Sequence, residues 1–570
     1  MAMAPGTLNW WLRRPGKPWP RQSRFPIRPA SRQVHICRYC WPIPTRNSRF
    51  DRSSMACSIH NTDIAGSQHS NSYHSRYAPR REAERHVEST IGGKRPAIVF
   101  IIGGGLNYLS LVVGERFPNA RIVSMQPCDE FDGLEVSQPS SSWSPSSAMT
   151  AYSIAAKALS GHHASGGVAV IEWPPVVSRF PGQAGRIRRA IRDALEETSS
   201  DAATSAFWAC RWLHNCIRFT SAASAGFSIV PGTSAVVIAC AGPGLMDSLG
   251  QIAARRDSLG LWALASALPA LRHFGLEPDL VVSTDPGFWS GAHLRAAADS
   301  GIPVAMPPSG YAPSAILERS SIIALDTGLS FEKACLGALG ISARDAAAAG
   351  SAAGTALSLA LSATSGPVVL AGYDLAATAS DDHARPYAFD ILDELGSSRT
   401  APCASSRSAR IFDNFPATSG SWRLSRAFST YASTICTSEE DRDRVYRDSD
   451  SPVDTGIRRS ERGNIPAAGN KPPRIAPKPA PAATRFNRLA AVKSMLVDLV
   501  DQAFEDAGDA VEHAVPVPYS AALLFKALAP RTSASFIAEA ARASANAKDL
   551  AALETAVRAA VDVMSGMSTC

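Results

Sequence analysis

The sequence predicts an α/β protein with a Rossmann-like N-terminal domain, a second doubly wound α/β core domain, and a small α-helical C-terminal region. Three observations lead there. Short apolar runs at 98–102, 234–239, 280–285, 321–326 and 367–372 have strand length, and each stops at glycine or at polar residues. Helix-forming stretches lie between them, the alternation that builds a parallel sheet. Residues 483–570 are Ala-rich, with apolar side chains at helical spacing.

Residues 1–72 hold 11 Lys/Arg against Asp51 and Asp63, a local charge of +9. They show neither a period of 2 nor of 3.6 and predict a disordered basic extension, transit-peptide-like or lying upstream of a start at Met55. The whole chain carries +7, so residues 73–570, with 46 basic and 48 acidic groups, carry −2. That balance argues against nucleic acid as a partner. With 570 residues and 45% hydrophobic side chains the chain can bury a substantial core, yet it contains no apolar run of membrane-spanning length. A cytoplasmic location is expected, and the eleven scattered Cys read as reduced thiols. Cys37 and Cys40 form a CxxC without a partner pair.

The N-terminal domain is expected over 73–215. A helix covers 81–87, a strand covers 98–102, and the turn Gly103-Gly104-Gly105-Leu106-Asn107-Tyr108 opens a helix running to about Phe117. A second strand follows at 121–125. Strand, glycine turn, helix, strand is the start of a nucleotide-binding unit, but Gln126 stands where an acid would hold a ribose. A strand at 167–172 and a helix at 186–197 complete the domain.

The core is expected over 228–395, and 396–436 is expected to associate with it. Its first strand runs into Ala241-Gly242-Pro243-Gly244-Leu245, where a helix start would turn free N–H groups toward a phosphate. Two later strands end at Thr284-Asp285 and at Gly372-Tyr373-Asp374, and Gly350-Ser351 opens another helix. Parallel sheets bind ligands beyond the C-terminal ends of their strands, so Gly242, Thr284, Asp285 and Asp374 should converge on one crevice. The mixed charge and Pro content of 437–482 predict a disordered linker. Leu489, Val492, Met495, Leu496, Leu499 and Val500 predict the packed face of a helical bundle over 483–570.

Several of these segments resemble, in order, the motility accessory factor family, whose core is described as 6-hydroxymethylpterin diphosphokinase MptE-like (DUF115). Residues 73–84, opening Tyr73-His74-Ser75-Arg76-Tyr77, look like the family's opening segment, and Gly103-Gly104-Gly105 like its N-terminal glycine turn. Ala241-Gly242-Pro243-Gly244-Leu245, together with residues 275–286 ending in Ser283-Thr284-Asp285-Pro286, is similar to the core signature. Gly350-Ser351, then Gly372-Tyr373-Asp374-Leu375 leading to His383-Ala384-Arg385-Pro386, resemble the final segment. Gly244 replaces the family's usual Ser, and Ala265 stands where Asp is frequent.

The resemblance implies a transferase with a nucleotide-activated donor and no prosthetic group. One branch moves a nonulosonic sugar, sialic or pseudaminic acid-like, from CMP to Ser/Thr of flagellin; another moves diphosphate from ATP, with Mg2+, to a pterin. A third reading is a non-catalytic flagellar assembly or binding protein. The residues expected at the reacting centre are Asp285, Asp374 and His383, the last as general base because imidazole titrates near neutrality. Those expected around the donor are Gly242, Pro243, Gly244, Leu245, Thr284, Gly350, Ser351 and Arg385, the last neutralising a phosphate or a sugar carboxylate. No spacing of His, Cys and Asp closes a metal site.

Overall fold

The computed structural model describes residues 73–567, apart from 160–166, 225, 299, 347–350, 514–516, 542–544 and stretches within 426–439, 461–468 and 478–484. The basic extension expected over 1–72, with Cys37 and Cys40, lies outside the described residues, as does Gly350.

The N-terminal sheet is all parallel, in the order β3 (Ser141–Trp143), β2 (Arg121–Met125), β1 (Ile98–Ile102) and β4 (Val168–Glu172). Helices α1 (Pro79–Ile91) and α2 (Tyr108–Arg116) pack on one face, while α3 (Ala151–Leu159) and the first half of α4 (Pro181–Ala222) pack on the other. Gly103 and Gly105 have φ of +67° and +59°, a conformation that glycine adopts without strain. The turn is closed by the protein itself. Gln126 accepts from Gly105 N–H and donates to its carbonyl, and His74 Nε2 accepts from Leu106 N–H at 3.0 Å. A Cβ on Gly105 would come within 2.5 Å of that imidazole nitrogen, so the glycine admits a side chain here.

Helix α4 continues past residue 215 for 42 residues in all. Its first half buries Ala184, Ile187 and Ile191 against the N-terminal sheet; its second half buries Leu213, Cys216 and Phe219 in the core of the following region. After α4, strand β5 (Phe227–Val230) leads into a nine-stranded parallel sheet. Its first six strands in sequence are β6 (Val236–Ala239), β7 (Gly260–Leu264), β8 (Leu280–Val282), β9 (Val304–Met306), β10 (Ile322–Asp326) and β11 (Arg344–Asp345), stepping outward in that order. Along this path lie α5 (Leu245–Ala254), α6 (Ser290–Leu294) and α7 (Ser330–Leu339). The chain then returns through α8 (Ala352–Ala363) to place β12 (Val368–Ala371) on the other side of β6. That reversal between β6 and β12 is the switch point at which such sheets open a crevice. A three-stranded antiparallel patch, β13 (Ala376–Ala377), β14 (Ala417–Ser419) and β15 (Trp422–Leu424), and helices α9 (Asp390–Leu395) and α10 (Cys403–Asn414) follow.

The linker expected over 437–482 is corrected by the structure. Within it, β16 (Val445–Asp448) pairs in parallel with β12 and carries β17 (Arg458–Arg459) at the sheet edge, while β18 (Arg474–Pro477) pairs with β5. Charged composition concealed the strand because Arg447, 1% exposed, is neutralised by tertiary contacts: it donates to the carbonyls of Tyr373 (2.8 Å), Val453 (2.5 Å) and Asp374 (3.3 Å). The C-terminal helices α11 (Arg485–Glu512), α12 (Tyr519–Leu528), α13 (Pro530–Ala541) and α14 (Ala547–Met567) share one core with α4 and α7. Val492, Met495, Leu496 and Val500 are buried in it and Leu499 packs partly against it; the side chain of Leu489 lies outside those described. No helix among the described residues is long and apolar enough to cross a membrane.

Candidate active site

The expected phosphate turn and Asp374 do meet, and they satisfy each other. Asp374, 1% exposed, accepts from Gly244 N–H at 2.6 Å and from the Ser449 hydroxyl. The N–H groups of Gly242, Leu245, Met246 and Asp247 donate to the carbonyls of Gly372, Gly242, Pro243 and Gly244. A Cβ on Gly242 or Gly244 would fall 2.4 or 2.7 Å from an Asp374 carboxylate oxygen. These glycines admit a carboxylate supplied by the chain, and in this structure Gly242, Pro243, Gly244 and Leu245 present no free donor to a ligand. Burial pushes the Asp374 carboxyl up, against the Ser449 hydroxyl, the Gly244 N–H and the Arg447 guanidinium, which hold it down. Asp374 thus caps the start of α5.

Two further expected residues are engaged within the protein in the same way. Ser351 caps α8 by accepting from Gly354 N–H at 3.2 Å. Arg385 donates to Asp381 and Asp382, each at 3.1 Å, and to Asp390, so its charge is already spent within its own loop.

Asp285 and His383 stand on loops at the same end of the core sheet. Asp285 stands beyond the end of β8, preceded by half-buried Thr284. Its Oδ1 accepts from Gly287 N–H at 2.6 Å, the Asx turn that Asp before Pro favours, and Oδ2 has no hydrogen-bond partner among the described residues. The surrounding protein raises the Asp285 carboxyl, against opposing pulls from the Gly287 N–H and the Arg211 guanidinium. The loop 378–389 reaches the same end of the sheet because Ala384 N–H donates to Ala241 at 2.8 Å. Aromatic contacts close the gap between the two loops: Trp289 meets Phe389 at 6.1 Å between ring centroids, and His293 of α6 meets Tyr387 and Phe389 at 5.2 and 5.0 Å.

His383 stacks on Tyr387 at 4.0 Å with the rings 15° apart, and its Nδ1 lies 3.2 Å from Asp382 Oδ1. Its Nε2 has no hydrogen bond among the described residues. A carboxylate beside one imidazole nitrogen and an open second nitrogen suit a general base. Burial pushes the Asp382 carboxyl up, but contact with His383 and the charges of Arg410 and Arg385 overcome it and hold it at about 2, so it stays ionised.

His293 is the reverse case. Burial, and repulsion from His383, lower it to about 4. A histidine depressed in the fold binds fewer protons than the unfolded chain between its folded value and its ordinary 6.5. Stability is accordingly expected to be fully present above about pH 6.5 and to fall as pH drops toward about 4. Urea unfolding from pH 7 to 4.5 measures this; His293→Phe should flatten that slope, and an unchanged slope would reassign it to other groups.

A stripe of α4 that the sequence analysis did not single out forms one wall of the crevice. Trp208, Arg211, Asn215 and Arg218 follow one another at spacings of three, four and three, which places them on one helix face. The Trp208 ring would be 3.7 Å from a Cβ on Gly287. Asn215, 4% exposed, donates to Pro286 O (3.1 Å) and Ser309 O (2.8 Å), clamping the Asp285 loop to the loop after β9. Arg218 donates to Ala312 O and lies 4.8 Å from the Tyr311 ring centroid. The helical spacing was readable, but only the fold shows which loops this face meets.

Residues 211–380, from this stripe to just before His383, match the family described as 6-hydroxymethylpterin diphosphokinase MptE-like. Over that span the chain is similar to the MptE-like family. A curated relative, an uncharacterized protein of Treponema pallidum (strain Nichols), is 30% identical over 249 residues, which are 44% of this chain and 55% of that protein. The chain thus spans about half the length of the relative it matches. Among solved structures, the MAf glycosyltransferase from Magnetospirillum magneticum AMB-1 aligns at 12% identity with a TM-score of 0.47, over 86% of this chain and 83% of that one. Within residues 211–380, no three His, Cys, Asp or Glu side chains among the described residues form a group that could hold a metal ion.

Proposed function

We propose that the protein is a transferase of the motility accessory factor type, moving a nonulosonic sugar from a CMP donor to a Ser/Thr hydroxyl of flagellin. The observation that carries this reading is that His383, beside Asp382 and open at Nε2, and Asp285, open at Oδ2, stand on loops at the same end of the core sheet, Asp285 within the MptE-like match and His383 just after it. In the reaction, the acceptor oxygen attacks the anomeric carbon and a new C–O bond forms. The bond to the CMP phosphate oxygen breaks, CMP leaves with its electron pair, and His383 Nε2 takes the hydroxyl proton. Asp382 stabilises the resulting imidazolium, and Asp285 holds a substrate hydroxyl through its unpartnered oxygen.

The family description favours a second reading, transfer of diphosphate from ATP to a hydroxymethyl pterin. The self-capped turn at Gly242–Leu245 favours a third, a flagellar assembly or binding protein without turnover. Calorimetry separates them: selective CMP binding supports sugar transfer, ATP with pterin supports the diphosphokinase, and no nucleotide binding supports the third. Deleting the gene and weighing intact flagellin tests the acceptor, because a missing sugar mass is expected and an unchanged mass would remove flagellin as substrate.

A further inference from the structure

The cation expected to recognise an anionic substrate group, Arg385, is committed to Asp381, Asp382 and Asp390. Other arginines around the crevice are committed as well. Arg410 pairs with Asp393 (2.9 Å), Arg447 is buried on backbone carbonyls, and Arg218 is held by Ala312 O beside Tyr311. Arg211 differs. It is exposed, its guanidinium lies 5.4 Å from the Trp208 ring centroid, and among the described residues it makes no hydrogen bond or ion pair. Trp208 in turn lies against Gly287, whose N–H holds the Asp285 carboxylate, and the Arg211 charge is near enough to pull on that carboxyl. Stacking on an indole leaves the planar donors at the guanidinium edge available for a two-point contact with phosphate or carboxylate.

We propose that Arg211, steadied by Trp208, binds an anionic oxygen group of the substrate in this crevice while Asp285 binds a neighbouring hydroxyl. The pairing selects ligands that carry a hydroxyl close to an anion and disfavours a bare anion, which Asp285 would repel. A ribose phosphate meets that requirement, and so does a polyhydroxylated sugar acid; the phosphate and the sugar carboxylate are the two sources of the same chemistry. The inference rests on the transferase reading for the identity of the ligand and on the geometry of α4 for the site.

Calorimetry on the full-length protein with four probes tests it: cytidine, CMP, N-acetylneuraminic acid and CMP-N-acetylneuraminate. Arg211→Gln is expected to weaken binding of the anionic probe that occupies the subsite by roughly tenfold or more, and Arg211→Lys to restore part of the loss. Cytidine binding should not move. Weakening of CMP assigns the phosphate, and weakening confined to the two sugar acids assigns the carboxylate. Wild-type affinity of Arg211→Gln for every anionic probe, or equal loss of cytidine binding, overturns the proposal while leaving sugar transfer standing. If the wild type ignores these probes but binds ATP in an Arg211-dependent way, the subsite stands and sugar transfer falls. If it binds neither ATP nor any of the four, the subsite is overturned too.

Discussion

His383→Ala is expected to lower turnover roughly 10²- to 10⁴-fold, the range spanned by a positioned general base. The fold should survive, because the ring sits on the surface side of Tyr387, about a third exposed, and its loop is held independently by the Ala384 hydrogen bond and by the Arg385 ion pairs. Asp285→Asn makes a companion variant. Asparagine retains an acceptor for Gly287 N–H and so preserves the Asx turn, while it removes the charge on the open oxygen. Turnover should fall with an unchanged melting temperature. Steady-state transfer assays paired with thermal unfolding decide the matter, and wild-type rates in both purified variants would refute the assignment of the reacting centre. Asp382→Asn removes the carboxylate beside His383 Nδ1, and turnover is expected to fall with it.

Asp374→Ala, by contrast, is expected to act on stability. The substitution leaves Gly244 N–H and the Ser449 hydroxyl without their acceptor and strips a carboxylate from beside Arg447, with Asp374 and Arg447 themselves buried. Removing one partner from such a buried network costs roughly 3–5 kcal/mol, which denaturant unfolding would register. Asp374→Asn keeps one acceptor oxygen and should lose less. A variant that keeps wild-type stability but loses turnover would return Asp374 to the reacting centre. Gly244→Ala gives an independent check, because its Cβ would press within 2.7 Å of the same carboxylate and should also lower stability.

Much of the architecture was legible in the chain because strand-forming segments that are buried on both faces read as continuous apolar runs. The segments expected at 98–102, 121–125, 280–285 and 367–372 all contain or coincide with strands, and the parallel arrangement follows from the helices between them. The strand at 445–448 escaped for the complementary reason: it lies in charged sequence, and its arginine is held by the carbonyls of Tyr373 and Asp374, more than 70 residues away, which no local pattern contains. Likewise, nothing local indicated that α4 would serve both sheets or that the C-terminal helices would share its core.

By itself the sequence determined the α/β class, the order of its strands and helices, and which strand ends carry polar residues, since each of these depends on neighbours within a few positions. Only the tertiary structure decided what those polar residues do. Helix starts and acids of one type look alike in sequence. Gly244 and Asp374 satisfy one another, 130 residues apart in the chain, whereas Asp285 and His383 each keep an atom open at the same end of the sheet. The +9 of residues 1–72 says nothing about the anion contact proposed for the core, which is a single arginine on α4 stacked on Trp208, whereas the fold pairs Arg385 with three carboxylates. Whether a polar group is available or spent depends on partners that only folding brings within reach.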